Sequence, residues 1–276
     1  MAAPAVQNTL AGRATSRAPR TGLKAFTGWL TSDTGLKVLS VVFVLAVWEI
    51  VGRSSNPVLF TYPSAVWGAA WNMTGEGILI EELLSSLGVL AVGLLAGTAA
   101  GIALGLAVGR SRVVAALLDL PTIALYATPM VALVPVLVLW FGFGTTAKIM
   151  IVFLFAIFPV LINTARGVQE ADPRLEEVTR AFCSSERRRW VDLILPSALP
   201  YIVTGIRLAI GRGLIGVVVA EFYTSISGLG YVIVSNANAF RTSRTFVPIV
   251  VLMILGIVLT KAVEWVERRL TPWAAR

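Results

Sequence analysis

The sequence EEVTRAFCSSERRRWVDLILPSALP, from Glu176 to Pro200, is a charged and amphipathic stretch in a chain that is otherwise apolar. The 276 residues are 57% hydrophobic and 14% charged, a composition that excludes an ordinary soluble domain. The stretch is too polar to lie in hydrocarbon. It therefore separates membrane-spanning segments that come before it from others that come after it.

Six segments are apolar enough to cross the roughly 30 Å hydrocarbon layer, for which about 20 residues are needed. The sequence therefore predicts an all-α polytopic membrane protein with six transmembrane helices. Residues 1–35 are predicted to be a disordered basic cytoplasmic tail, 36–270 a transmembrane domain with a cytoplasmic loop at 166–200, and 271–276 a cytoplasmic C-terminus. The six segments are Leu36–Val51, Leu83–Val108, Val113–Trp140, Ala147–Thr164, Tyr201–Phe222 and Phe246–Val266.

The basic residues predict the orientation of these spans. With the N-terminus inside, 15 of the 23 lysines and arginines fall in cytoplasmic parts and 4 in outer parts, and the other 4 lie at or inside helix ends. Cytoplasmic loops carry the excess of Lys and Arg. Both termini and the Glu176–Pro200 stretch are therefore expected in the cytoplasm.

Several classes of function are excluded by what the sequence lacks. It contains no histidine, so neither a His-ligated metal site nor a His-based catalytic triad is possible, and no metal site is predicted. Cys183 is the single cysteine and has no intrachain disulfide partner. No G-x-x-x-x-G-K-[ST] phosphate loop is present, so the chain is not itself an ATPase.

The second and third segments carry unusual patterns. Five glycines recur at a spacing of four from Gly93 to Gly109 and form a smooth stripe on one helix face, suited to packing within the chain or to subunit pairing. Pro121, Pro129 and Pro135 interrupt the third segment, so we expect a kinked or broken helix. Such a helix either lines a substrate path or is only structural.

One acidic residue lies about 20 residues into the fifth segment. An acid at that depth is costly unless it is paired or hydrated, so Glu221 is a candidate functional residue. A structural role, such as capping the nearby Gly228-Leu229-Gly230 turn, is the alternative. The hypothesis for the translocation path comprises Tyr126, Pro129, Met130 and Glu221.

Local signals predict two short helices in the polar loop. Asp172 followed by Pro173 is a helix start, and Ser184 and Ser185 are able to end one helix and begin another, which runs to Pro196. Their apolar faces suit lipid headgroups, the protein's own bundle or the groove of a partner protein.

The same residues resemble a known motif. Glu177-Val178-Thr179, then Cys183, then Leu193-Ile194-Leu195-Pro196 are similar in spacing to the EAA loop of ABC importer permeases, with the motif's glycine replaced by Cys183. The resemblance to nitrate/sulfonate/taurine/bicarbonate-type permeases runs from about Val38 to Leu270. It includes PSAVW (Pro63–Trp67), VPVLVLWFGFGTTAK (Val134–Lys148), LPYIVTGIRLAIGRGLIGVVVAE (Leu199–Glu221) and SGLGYVI (Ser227–Ile233).

The resemblance implies a type I ABC importer permease-like fold in the inner (plasma) membrane. In that family the loop docks on an ABC ATPase subunit as a coupling helix. The residues implied in coupling here are Glu177, Thr179, Phe182, Cys183, Trp190, Leu195 and Pro196.

The same resemblance implies the partners. They are two ATPase subunits, a second permease copy (a homodimer) and an extracytoplasmic substrate-binding protein that delivers a small organic or inorganic anion. The chain itself would be no enzyme and bind no cofactor, since ATP and Mg²⁺ belong to the ATPase. The alternatives are a self-sufficient secondary transporter or channel, which needs coupling-ion sites, and an intramembrane enzyme, which needs a nucleophile and a base.

Overall fold

The computed structural model describes residues 33–224 and 226–271, all of them in helices, turns and short loops. The basic tail expected at the N-terminus lies outside the described residues as far as residue 32, as do residues 272–276. The chain divides at Val51 into two units. Helix α1 is Asp33–Ser54, whose 22 residues give a length of about 33 Å, enough to cross a bilayer.

From Gly52 onward the described chain is a helical bundle. Its helices are α2 (Pro63–Gly75), α3 (Ile78–Arg110), α4 (Arg112–Ala127), α5 (Met130–Phe141), α6 (Thr145–Gln169), α7 (Pro173–Ala181), α8 (Glu186–Arg189), α9 (Leu195–Thr224), α10 (Leu229–Asn238) and α11 (Thr242–Leu270).

The described helices give five or six membrane spans. Five are long and apolar enough to cross, namely α1, α3, α6, the continuous helix from α8 through α9, and α11. The bent pair α4–α5 makes a sixth if it is counted as one span. The all-α polytopic fold is confirmed. The short helices α2 and α10, which lie between spans, were not expected from the sequence.

The glycine stripe of α3 packs against α6. A Cβ atom added at any of its five glycines would lie 2.5–2.8 Å from an atom of α6. The facing α6 positions also recur every four residues: Val152, Ala156, Val160, Thr164 and Val168. The ridge of α6 side chains therefore fills the groove left by the α3 glycines. The glycine face of α3 is thus used for packing within the chain and not for pairing of subunits.

The third span breaks at one of its three prolines. α4 ends at Ala127, Pro129 precedes the first residue of α5, and the two helix axes meet at 99°. Pro121 and Pro135 lie inside α4 and α5 without ending either helix. α5 then packs into the main core through Met130, Val134 and Val138, beside Ile151 and Phe155 of α6.

The helix that follows Ser185 differs from the expectation. A second short helix was predicted to stop at Pro196, but the chain runs without a stop from Glu186 to Thr224. A π-helical turn over Trp190–Ile194 lies just before the proline, with the Leu195 N–H bonded to the Trp190 carbonyl. Pro196 has no N–H to donate, but the π-helical turn before it has already changed the hydrogen-bond pattern there. The helix therefore continues through the proline.

Candidate functional site

The polar loop contains one well-formed helix, α7. The Asp172 carboxylate accepts a hydrogen bond from the Arg174 N–H at 2.8 Å, and Pro173 occupies the first turn, as the sequence predicts. The helix ends at Phe182, and Cys183 adopts a left-handed conformation with φ of 49°. A sharp turn is thus formed at the position where the resembling motif has glycine.

One face of α7 is apolar and open. Leu175, Val178 and Phe182 recur at helical spacing, and the exposed fractions of their side chains are 50%, 49% and 79%. Nothing in the described chain covers them. The Thr179 hydroxyl turns back to donate to the Glu176 carbonyl at 2.8 Å, so it supports the helix and is only partly available to a partner.

Two neighbouring acids of α7 have different environments. Glu177 is exposed and makes no hydrogen bond or ion pair with any of the described residues. Glu176 contacts three arginines through one carboxylate oxygen, with distances of 3.0 Å to Arg180 and 3.9 Å to both Arg110 and Arg189. Adjacent helix positions point about 100° apart, so the two carboxylates meet different surroundings. The motif resemblance selects Glu177, but the sequence carried no signal for the ion pairs of Glu176.

Glu176 belongs to an ion-pair cluster that joins three elements. Arg110 closes α3, Glu186 and Arg189 form part of α8, and Glu176 lies on α7. Glu186 lies 3.3 Å from Arg110 and also contacts Arg189. We call these four residues the arginine–glutamate clamp. Each exposed pair contributes about 0–1 kcal/mol, but a shared network holds α7 to the ends of two spans more firmly than one pair would.

The remaining candidate coupling residues lie where the loop meets the bundle. Trp190 is half-buried and packs against the cluster of Val168, Ile194, Ala198 and Ile202. Leu195 is exposed, Pro196 is half-buried and Cys183 is exposed. The seven residues are therefore not one surface: Glu177, Phe182 and Cys183 face outward, and Trp190 anchors the helix.

The four residues assigned to a translocation path separate in the structure. Pro129 and Tyr126 are exposed near the α4–α5 break. Met130 and Glu221 are buried, with exposed fractions of 8% and 0%. In this conformation Met130 is part of the core cluster with α6, so neither buried side chain lines an open path. The sequence located the break, but it did not show which helix face turns inward.

Glu221 holds a turn at the end of the bundle opposite to α7. Its carboxylate accepts a hydrogen bond from Ser86 at 2.7 Å and from the Gly230 N–H at 2.7 Å. Ser86 in turn accepts from the Leu229 N–H at 2.8 Å. A buried acid with these donors caps the start of α10, which is the structural alternative that the sequence left open.

Gly228 and Lys148 complete this buried network. Gly228 has φ of 104°, and a Cβ atom there would lie 1.9 Å from a Glu221 oxygen, so only glycine fits. Lys148, which the sequence places at the start of the fourth segment and counts on the outer side, is buried and donates to the Ser227 carbonyl at 2.7 Å.

A contact between Arg212 and Tyr126, which the sequence did not indicate, lies deep within a span. Arg212 is 17 residues from the start and 12 from the end of α9, and it donates to the Tyr126 hydroxyl at 2.8 Å. Its guanidinium carbon lies 4.6 Å from the centre of the Tyr126 ring. An arginine at the centre of a membrane helix costs about 2.5–3.5 kcal/mol on insertion scales, so its presence suggests a function.

Comparison with known proteins identifies the chain. Residues 93–272 match the family described as binding-protein-dependent transport system inner membrane component. The protein belongs to this family. It is the transmembrane permease subunit of an ABC importer, a multi-pass inner-membrane protein.

Individual relatives are similar in sequence over nearly the whole length of the permease. It is 35% identical to the Escherichia coli (strain K12) permease SsuC, assigned to aliphatic sulfonate transport, over 84% of this chain and 89% of the relative. It is 30% identical to the taurine transport permease TauC of the same strain, over 88% of this chain and 91% of TauC. The formylaminopyrimidine transport permease ThiX of Halalkalibacterium halodurans is also 30% identical, over 85% of this chain and 94% of ThiX.

A solved structure supports the fold of the permease. The crystal structure of an amino acid ABC transporter with histidines matches with a TM-score of 0.57, covering 71% of this chain and 96% of that one at 17% identity. The family match and the relatives confirm the resemblance to ABC importer permeases, so the alternatives of a self-sufficient secondary transporter and an intramembrane enzyme are dropped.

Proposed function

We propose that α7 is the coupling helix through which ATP hydrolysis in a separate ATPase subunit moves this permease. The observation that carries the proposal is the open apolar face of Leu175, Val178 and Phe182. Beside it lies the carboxylate of Glu177, which has no partner among the described residues. Exposed apolar patches rimmed by charge mark protein interaction sites. ATP and Mg²⁺ bind to the partner, and this chain binds no cofactor.

The attachment of α7 suits the transmission of force. The arginine–glutamate clamp joins α7 to the ends of α3 and α8, and Trp190 packs into the core below. A displacement of α7 by a partner would therefore be passed to two spans together. Glu177, Thr179, Phe182 and Cys183 are proposed to face the ATPase, whereas Trp190, Leu195 and Pro196 connect the coupling helix to α9.

The complete importer is proposed to contain two copies of this permease, two ATPase subunits and an extracytoplasmic binding protein. Both termini and α7 lie in the cytoplasm in this arrangement, as the excess of basic residues on that side supports. Relatives named for sulfonates and taurine support a small organic anion as the solute. The relative named for formylaminopyrimidine shows that this level of identity also spans other solutes.

The test is a double substitution in the coupling helix. Glu177→Lys with Phe182→Ala should leave the permease inserted and folded yet abolish ATP-driven uptake, because a charged contact and an aromatic anchor are lost together. Losses of about 2–5 kcal/mol are typical for each kind of contact, enough to weaken ATPase binding by tens- to thousands-fold. Pull-down of the ATPase subunit measures the binding directly.

Matched substitutions at the other end of the bundle provide the control. Glu81 is an exposed acid and Phe143 is an exposed phenylalanine (71%), both remote from α7 along the spans. Glu81→Lys with Phe143→Ala should leave ATPase binding unchanged. Full uptake in the Glu177→Lys, Phe182→Ala variant would show that α7 does not couple the permease to an ATPase.

A further inference from the structure

Arg212 is a cation within the membrane span that has no anionic partner among the residues that the structure describes. The ion pairs of the described chain do not include it, and its polar contact is with the neutral hydroxyl of Tyr126. A guanidinium has five N–H donors, and one hydrogen bond leaves the others available. By comparison, Arg207, five residues earlier on α9, is paired with Glu267 of α11.

The helix surface at Arg212 is not fully covered by the described chain. Arg212 is only partly buried, and at the preceding Gly211 a Cβ atom would meet nothing within 4 Å. Packing within the described chain therefore does not account for the small residue at position 211. Arg212 also lies beside the α4–α5 break, where non-helical backbone at membrane depth needs cover from protein or water.

Tyr126 connects this arginine to an open groove. The groove is formed by α4 and α6, and Thr122, one turn before Tyr126, lines it together with Tyr126 itself. Asp119 and Glu170 lie toward its other end, which leads to the loop side of the bundle. Arg212 does not itself line the groove, but stacking on the Tyr126 ring holds its guanidinium, with a fixed plane, next to a residue that does.

We propose that Arg212, held by Tyr126, binds the anionic group of the transported solute midway through the membrane. The ligand class is a small sulfonate or carboxylate, whose planar or tripodal oxygens match the guanidinium donors. This inference rests on the proposed function, because it takes the solute to be an anion. A single bound anion neutralises the partly buried cation, and its release toward the cytoplasm follows the groove past Thr122.

Protection of a cysteine from labelling tests the site without ATP or the ATPase. Thr122→Cys in a Cys183→Ser background places one thiol in the groove of the full-length chain in lipid nanodiscs. Ethanesulfonate should slow its reaction with the neutral reagent N-ethylmaleimide, whereas uncharged dimethyl sulfone and sodium chloride at equal ionic strength should not. Arg212→Gln should abolish the protection, and Arg212→Lys should retain part of it.

Uptake by the assembled importer gives the second measurement. Arg212→Gln should lower ATP-driven uptake of labelled taurine or ethanesulfonate by about 30-fold or more, the usual effect of removing one partner of a buried charged contact. Tyr126→Phe keeps the stacked ring and should lower uptake far less. Equal losses in the two variants would mean that Arg212 only clamps Tyr126, and the proposal would be wrong.

The two experiments separate this site from the proposed function. No anion uptake by the wild-type importer would contradict the proposed solute class. Wild-type uptake that persists in Arg212→Gln, or labelling of the Thr122→Cys thiol that ethanesulfonate does not slow, would overturn the Arg212 site and leave the coupling role of α7 intact.

Discussion

At the scale of single residues, Cys183 stands where the resembling motif has a glycine. It is one of two non-glycine residues with positive φ in the described chain, the other being Phe240. The left-handed conformation costs a residue with a Cβ atom about 1–2 kcal/mol. The turn after α7 therefore holds strain at the surface proposed to meet the ATPase.

Replacing this residue with glycine should stabilise the permease. We expect Cys183→Gly to raise the thermal unfolding midpoint of the purified protein by roughly 2–4 °C, since about 1 kcal/mol of strain is removed. Ser184→Gly is the matched control, because its φ is not positive and glycine there only adds freedom to the unfolded chain. A lower midpoint for Cys183→Gly than for the wild type would show that the cysteine side chain itself stabilises the turn.

At the scale of elements, α3 and α6 are in close contact along the glycine stripe. Thr164 and Leu161 lie so near Gly105 that an added Cβ atom would be 2.5 Å from a side-chain carbon and 2.7 Å from a carbonyl oxygen. Gly88 lies on the same helix with nothing within 4 Å of such an atom. One helix thus offers two glycines with opposite surroundings.

Alanine at these two positions should change stability in opposite directions. Gly105→Ala should destabilise the permease by about 1–3 kcal/mol, because the helices must separate to admit the methyl group. Gly88→Ala should be neutral or stabilising by about 0.5–1 kcal/mol, since alanine favours the helix. Unfolding in detergent, followed by circular dichroism, measures both. Equal effects would contradict tight packing at Gly105.

At the scale of the whole molecule, the distribution of basic residues predicts the orientation in the membrane. We expect a cysteine at Ser184, in a Cys183→Ser background, to react only with reagents that enter the cell. Cysteines at Gly75 and Asn236 should react with impermeant reagents from outside. In the structure, α7 lies at one end of α3, and the Glu221 network, which caps α10, lies at the other end. Position 184, which follows α7, and Asn236 of α10 are therefore expected on opposite sides. Labelling of position 184 from outside intact cells would rule out this orientation.

The sequence predicted features whose cause is local. The start of α7 depends on Asp172 and Pro173, and the broken span depends on Pro129, so neighbouring residues were sufficient. The inward faces of Met130 and Glu221 depend on which helix packs against them, and that contact involves residues distant along the chain. Lys148 was counted on the outer side at the start of the fourth segment, and its burial could not be predicted because its partner, Ser227, is 79 residues away.

The glycine stripe on α3 also has a consequence for the synthesis of the protein. Its partner α6 is complete only at Gln169, 59 residues after α3 ends at Arg110. At about 5–20 residues per second, the ribosome needs roughly 3–12 s to make that segment. During this interval the nascent chain does not yet contain the helix that packs on the stripe. The bent pair α4–α5 is made before α6, so it must enter the bilayer before α3 can pack against α6. Biogenesis of the permease therefore includes a waiting step, in which the inserted helix α3 stays unpaired until the ribosome has synthesised α6.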